Sequence, residues 1–251
     1  MILRKTVLMI LLAVYALMWV GGIGSHIWFE STPRQTAWAA PTFLLLAGLI
    51  VIITSRRSEL APLLVASLLG FVAEVIGVRS GFLFGDYTYT DTLTPQLFGV
   101  PVVMASAWMV LVAYIRQALL ILDLSAWVES LIAALWMTAI DLVIDPLAAG
   151  PLNYWQWAGA GAYYGVPARN FVGWFTVSLL IFGLNAVLFG RGGQSDSHAF
   201  MVGLSIILFF TVIALAHGLI LAGIIGIALC LLHLALRVVP VGLRTLETNK
   251  R

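Results

Sequence analysis

Apolar segments of roughly twenty residues, the length of a helix that spans the hydrocarbon core of a bilayer, recur along the whole chain. In lipid every backbone N–H and C=O needs a partner within the protein, and a continuous helix provides one within its own segment. The chain is 62% hydrophobic and only 10% charged, whereas soluble domains carry about 25% charged residues. The sequence therefore predicts an all-α fold, a polytopic transmembrane helical bundle.

About eight spans are predicted, forming a single integral-membrane domain over residues 1–251. They cover residues 6–24, 38–54, 60–78, 98–115, 125–145, 170–190, 198–216 and 219–238. The first span follows Arg4 and Lys5 as a secretory signal would, but the many apolar segments after it favour a retained helix.

Lysine and arginine are distributed unequally between the two sides of this arrangement. With the N-terminus inside, the cytoplasmic set is Arg4, Lys5, Arg56, Arg57, Arg116, Arg191, Arg237, Arg244, Lys250 and Arg251. The outer set is Arg34, Arg79 and Arg169. Because cytoplasmic loops carry the excess of basic residues, both termini are predicted to be cytoplasmic, in a multi-pass protein of the cell membrane.

Two predicted outer loops, residues 79–97 and 146–169, are rich in Gly, Pro, Tyr and Trp rather than in charged residues. Two interpretations are open. Tyr and Trp favour the membrane interface, so the loops could form an aromatic belt. Alternatively they are re-entrant segments packed over a cavity, since irregular backbone at membrane depth is tolerated only inside protein.

A short internal repeat supports the second interpretation. Gly99-Val-Pro101 precedes Trp108 at the same spacing at which Gly165-Val-Pro167 precedes Trp174. Each copy follows an aromatic loop and opens an inward-running helix, whose first turn suits proline. The matched order predicts a duplicated helix–loop–helix unit, with the pair covering residues 60–190.

Acidic residues at membrane depth are functional candidates by default. Asp141 and Asp145 share one helix face at i and i+4, and Pro146 is expected to end that helix. Two carboxyl groups this close in a dry setting cannot both ionise easily, so one is expected to remain protonated beside a carboxylate. Such a pair suits proton donation.

Less specific roles for these acids are also open. Glu74, near the outer end of the third span, could form a simple ion pair with Arg79 or Arg169. The aspartates could line a polar seam, bonded to Asn170, Arg169 or tyrosine hydroxyls.

Other chemistries lack a sequence signal. The four histidines have no zinc spacing, and there is no phosphate loop, so no metal and no cofactor are expected. The basic residues form no patch, which argues against nucleic acid as a partner.

Several spaced motifs resemble the CruF-type carotenoid hydratases of bacteria and archaea. In the first half they are Glu74-Val-Ile-Gly77, Gly81-Phe-Leu-Phe-Gly85-Asp-Tyr87-Thr-Tyr89, Gly99-Val-Pro101 and Trp108. In the second they are Asp141-Leu-Val-Ile-Asp145-Pro146, Trp155-Gln-Trp157, Tyr163-Tyr-Gly165-Val-Pro167 and Asn170-Phe-Val-Gly-Trp174. The resemblance covers roughly residues 70–178 in order, and the outer spans add only similar hydropathy.

The resemblance implies hydration of the terminal C1–C2 double bond of an acyclic carotenoid end group to a tertiary alcohol. It implies as partners an acyclic or monocyclic carotenoid, the lipid bilayer and other membrane enzymes of the same pathway. The chemistry of that reaction points to Asp141, Asp145 and Glu74 as catalytic acids and bases. The candidate substrate-binding residues are Asp86, Tyr87, Tyr89, Trp108, Trp155, Trp157, Tyr163, Tyr164, Arg169, Asn170 and Trp174.

Two rival functions are compatible with a membrane bundle. An intramembrane prenyltransferase would hold Mg²⁺-diphosphate on acidic clusters with basic residues near, but only one Asp pair is present, on a side with few cations. A transporter or carotenoid-binding scaffold would use the acids as a proton relay. Product analysis separates a carrier from an enzyme.

Overall fold

A computed structural model describes residues 2–28, 37–190 and 197–248, with side chains over 4–28, 37–190 and 197–236. Of the basic residues that set the predicted orientation, some lie outside the described residues: Arg34, Arg191, Lys250 and Arg251 entirely, and Arg237 and Arg244 in their side chains.

Eight helices account for most of the described chain, as the hydropathy predicts. They are α1 (Ile2–Trp28), α2 (Ala39–Thr54), α3 (Arg57–Ser80), α4 (Val103–Leu119), α5 (Ala126–Ala149), α6 (Ala168–Phe189), α7 (Ser197–Ala216) and α8 (Ile220–Thr248). Within the described ranges, five helices are long and apolar enough to cross a membrane, and the apolar parts of α2, α4 and α8 are shorter. The all-α polytopic prediction is confirmed.

The buried centre of the bundle is α4, whose neighbours include α2, α3 and α7. Glycines on these neighbours allow close approach, as is usual between membrane helices. A Cβ on Gly70 of α3 would come within 2.2 Å of the Trp108 ring, and one on Gly203 of α7 within 2.3 Å of Tyr114. Trp108 and Tyr114 of α4 therefore occupy space that a side chain at Gly70 or Gly203 would take.

Both outer loops contain short strands, which hydropathy did not predict. These are β1 (Tyr87–Tyr89), β2 (Gln96–Leu97), β3 (Val100–Pro101) and β4 (Trp155–Trp157). The antiparallel pair of β1 with β4 joins the two loops, with Tyr87 opposite Trp157 and Tyr89 opposite Trp155. Tyr87 and Trp155 are only 6% and 8% exposed, so the loops pack over the bundle interior rather than forming a simple belt.

The first helix of the repeat starts later than predicted. Residues 96–101 form the β2–β3 hairpin, so α4 begins at Val103 and not at residue 98. Pro101 therefore lies in a strand instead of a first helical turn, and Pro167 is the N-cap of α6. In both copies the proline stands before the helix.

The prediction that Pro146 ends the fifth helix is wrong, because α5 continues to Ala149 with Pro146 inside it. A proline within a helix has no N–H to donate to the carbonyl four residues earlier, which here belongs to Leu142. The hydroxyl of Tyr163 donates to that carbonyl at 2.8 Å. A tyrosine of the second outer loop thus replaces the missing backbone bond, and the helix can continue.

Candidate active site

Glu74 of α3 is enclosed by three hydrogen-bond donors. The Tyr87 and Tyr89 hydroxyls donate to its Oε2 at 2.6 and 2.9 Å, and Trp108 Nε1–H donates to Oε1 at 3.2 Å. The side chain is 3% exposed. Donors directed at both oxygens stabilise a carboxylate, so these hydrogen bonds favour the ionised form of Glu74.

Asp141 and Asp145 of α5 share one donor. The amide Nδ2 of Asn170 donates to Asp141 Oδ2 and to Asp145 Oδ2, both at 2.7 Å. Trp155 Nε1–H donates to the other oxygen of Asp145 at 2.8 Å. Both carboxyl groups and the amide are buried. The i, i+4 spacing therefore does place the two acids side by side, as the sequence predicted.

The three acids belong to one connected cluster. Tyr89, a donor to Glu74, has its ring centroid 5.7 Å from that of Trp155, which donates to Asp145. Arg116 forms a salt bridge with Glu59, elsewhere in the bundle. Arg79 lies over the Phe98 ring, and Arg169 donates to the Phe82 carbonyl. The alternative of an ion pair between Glu74 and either outer arginine is wrong.

Aromatic rings surround the acids. Trp108 and Trp174 stack in parallel with ring centroids 4.4 Å apart, and Trp157 lies 5.1 Å from Tyr87. Phe84 packs between Tyr87 and Trp174 at centroid distances of 6.3 and 6.1 Å. The result is a low-dielectric enclosure whose ring faces can stabilise a cation.

Burial, and then the nearby Glu74 charge, raise the pKa of Tyr87 and of Tyr89 above the usual value for a phenol. Both phenols therefore keep their protons through the neutral range. They act as hydrogen-bond donors to Glu74 and are poor candidates for a base.

The repeat explains how this cluster is assembled. In the first unit, Glu74 receives donors from its own strand β1 and its own return helix α4. In the second, Asp145 receives donors from β4 and from α6. The strand pair and the tryptophan stack then join the two units, so each contributes one side of a single cluster.

Residues 37–233 match the carotenoid biosynthesis protein family. The chain belongs to this family. A curated relative, the bisanhydrobacterioruberin hydratase of Haloarcula japonica, is 34% identical over 148 residues, 55% of this chain. The match covers 48% of that relative, so the chain spans about half the length of the curated relative it matches. No solved structure matches.

Not every candidate residue of this carotenoid biosynthesis protein reaches the acids. The exposed Asp86 packs its side chain against Gly81, and its backbone carbonyl accepts from the Ala158 N–H. The Tyr164 hydroxyl accepts from the N–H of Leu221 at 3.1 Å, and Arg169 binds Phe82. The Tyr163 hydroxyl donates to the Leu142 carbonyl of α5. These four side chains support the loops around the site.

Phe84 is the site residue that the sequence did not single out. Its ring fills the space beside two glycines: a Cβ on Gly77 would come within 2.6 Å of the ring and one on Gly173 within 2.7 Å. Glycines in facing helices are a weak signal for such a ring, because many other membrane glycines serve only helix packing.

Proposed function

We propose that this protein is a carotenoid hydratase of the cell membrane, which adds water across the terminal C1–C2 double bond of an acyclic end group. Membership of the carotenoid biosynthesis family and the hydratase name of the relative support a carotenoid substrate. The observation that carries the proposal is the buried cluster of three carboxyl groups with unequal numbers of donors.

The reaction needs an acid first and a base second. Asp141 or Asp145 gives its proton to C2 of the alkene, whose π electrons form the new C–H bond and leave a tertiary cation at C1. A water oxygen then bonds to C1. Its spare proton passes to Glu74 or to the other aspartate, and a transfer within the cluster restores the starting state. The sum is one alkene plus one water giving one tertiary alcohol.

The number of donors suggests how the roles divide. Glu74 accepts three hydrogen bonds and Asp145 two, whereas Asp141 accepts one. A carboxyl group with few donors gains least from ionising, so Asp141 is best suited to hold the proton. The surrounding aromatic rings limit the access of water, which would otherwise quench the acid before the alkene arrives.

The rival functions find less support in this site. A prenyltransferase binds a diphosphate, and in the part of the chain that the structure describes no lysine or arginine contacts the three acids. A carrier that used the acids as a proton relay would leave the carotenoid chemically unchanged. Product mass distinguishes it from a hydratase.

The test is expression in bacterial cells that accumulate lycopene, with pigments resolved by polarity and mass. The wild-type chain should yield a more polar pigment heavier by one water. Asp141→Asn or Asp145→Asn should lower its formation by about 10²–10⁴-fold, the usual contribution of a positioned acid or base. Asp123→Asn, in the loop between α4 and α5, serves as the control and should remain active. Near-normal turnover in both cluster variants would remove the aspartates from the mechanism.

A further inference from the structure

A second feature of the bundle lies beside the acid cluster. A cavity of about 730 Å³ opens between α1, α2, α7 and the two outer loops. Sites that enclose small organic ligands have volumes of about 300–1,000 Å³, so this space could enclose a substantial part of an isoprenoid chain. The three acids do not line it.

The cavity lining changes from apolar to polar along α1, and the outer loops add further polar side chains. Along α1 it runs from Met18 through Gly21 and Gly22 to Ser25 and His26, about two turns further on. The apolar lining also includes Phe43, Leu44, Phe209 and Phe210. Nearer the outer end, residues 37–40 and 151–152 are apolar too, beside the polar Thr90, Asp91, Thr92 and Asn153. An apolar interior with a mixed rim fits an elongated hydrocarbon better than it fits a polar solute.

Two pairs of adjacent residues separate the cavity from the acids and form the wall between them. In each pair, one residue lines the cavity and its neighbour donates a hydrogen bond to an acid. Thr90 lines the cavity and directly follows Tyr89, a donor to Glu74. Tyr154 lines it too and directly precedes Trp155, a donor to Asp145. The Thr90 N–H donates to the Tyr154 carbonyl at 2.9 Å, which joins the two sides of the wall.

We propose that this cavity binds the polyene chain of the carotenoid whose end group reacts at the acid cluster, an inference that rests on the proposed function. The polyene chain lies among Phe43, Phe209 and Phe210, with its end group directed at the Thr90–Tyr154 wall, beyond which the acids lie. Binding of the polyene to the apolar interior fixes the position of the terminal double bond. The rim of the cavity faces the outer surface of the bundle.

Gly21 offers a direct test, because a Cβ there meets nothing within 4 Å. Gly21→Leu therefore adds an apolar side chain at the cavity lining, with no clash at its Cβ. Gly183→Leu is the matched control, since Gly183 is also a helix glycine with open space around it but does not line the cavity. Both variants are made in the Asp145→Asn background and purified from lycopene-accumulating cells. Bound lycopene is read from visible absorbance per protein, independently of turnover.

We expect Gly21→Leu to retain about tenfold less lycopene than its parent and Gly183→Leu to retain a similar amount. Equal retention in the Gly21 variant would overturn the proposal. If pigment is retained by the parent but the wild type forms no hydrated product, the proposed function fails while the cavity assignment stands.

A labelling experiment covers the case in which Gly21→Leu does not fold. Gly21→Cys and Gly183→Cys are made with Cys230→Ala, which removes the native thiol. Lycopene should slow maleimide labelling at position 21 by about tenfold and leave position 183 unchanged. Labelling of position 21 at the same rate with and without lycopene would show that the chain does not enter this cavity.

Discussion

Trp108 and Trp174 stack with their ring planes 12° apart, and each occupies the same place in its copy of the Gly-Val-Pro repeat. Trp108 also donates to Glu74, whereas Trp174 packs near Phe84. Equivalent positions of the two Gly-Val-Pro copies thus meet in the bundle. The contact connects the two halves of the acid cluster.

Replacing one ring of this stack should weaken both the fold and the site. In Trp174→Leu the stacked partner of Trp108 is lost, and aromatic pairs contribute about 0.5–1.5 kcal/mol beyond their buried area. We expect a lower thermal midpoint in detergent and a loss of hydration smaller than that of Asp145→Asn. Trp174→Phe keeps a ring face and should recover much of the activity. Full activity in Trp174→Leu would exclude this ring from cation stabilisation.

Asn170 should be more important to the reaction than its burial alone suggests. Asn170→Leu removes the amide that holds Asp141 and Asp145 side by side, and each buried acceptor left unpaired costs about 1–3 kcal/mol. We expect hydration to fall by about 10²-fold or more. Asn185→Leu is the matched control, because Asn185 is also buried on α6 but bonds the Pro62 carbonyl, at 3.4 Å. Similar activity in the two variants would contradict a specific role for Asn170.

Hydropathy predicted the helices well because a transmembrane segment is long and its apolar character is continuous. The one-turn spacing of Asp141 and Asp145 likewise fixed their proximity. Hydropathy and residue spacing could not predict the β1–β4 pair. Three-residue strands carry no usable periodicity, and these two strands lie far apart in the chain. The extension of α5 past Pro146 was missed for a similar reason: its substitute donor, Tyr163, comes from a distant loop.

The role of Tyr163 can be isolated by a double-mutant cycle. Tyr163→Phe leaves the Leu142 carbonyl without its hydroxyl donor and should destabilise the protein by about 1 kcal/mol. Pro146→Ala restores a backbone N–H at the position that can donate to this carbonyl. In that background Tyr163→Phe should have little further effect on the thermal midpoint, a coupling that the cycle measures directly. Purely additive effects would mean that the hydroxyl does not replace the missing helix bond.

Glu74 is expected to act through its charge and not through its hydrogen bonds alone. Glu74→Gln keeps the side-chain shape and an acceptor for the Tyr87 hydroxyl, but it cannot take the proton released by water. Hydration should fall by about 10²–10⁴-fold if Glu74 is the base. Tyr87→Phe removes one of three donors and should cost less, because Tyr89 and Trp108 still bind the carboxylate.

The control for this prediction is Glu129→Gln, in the first turn of α5, which should leave product formation unchanged. Product is measured by pigment mass in lycopene-accumulating cells, normalised to the amount of protein in the membrane. Should Glu74→Gln retain wild-type hydration while Asp141→Asn and Asp145→Asn do not, the aspartate pair would act as both acid and base. Glu74 would then only position the aromatic strand above it.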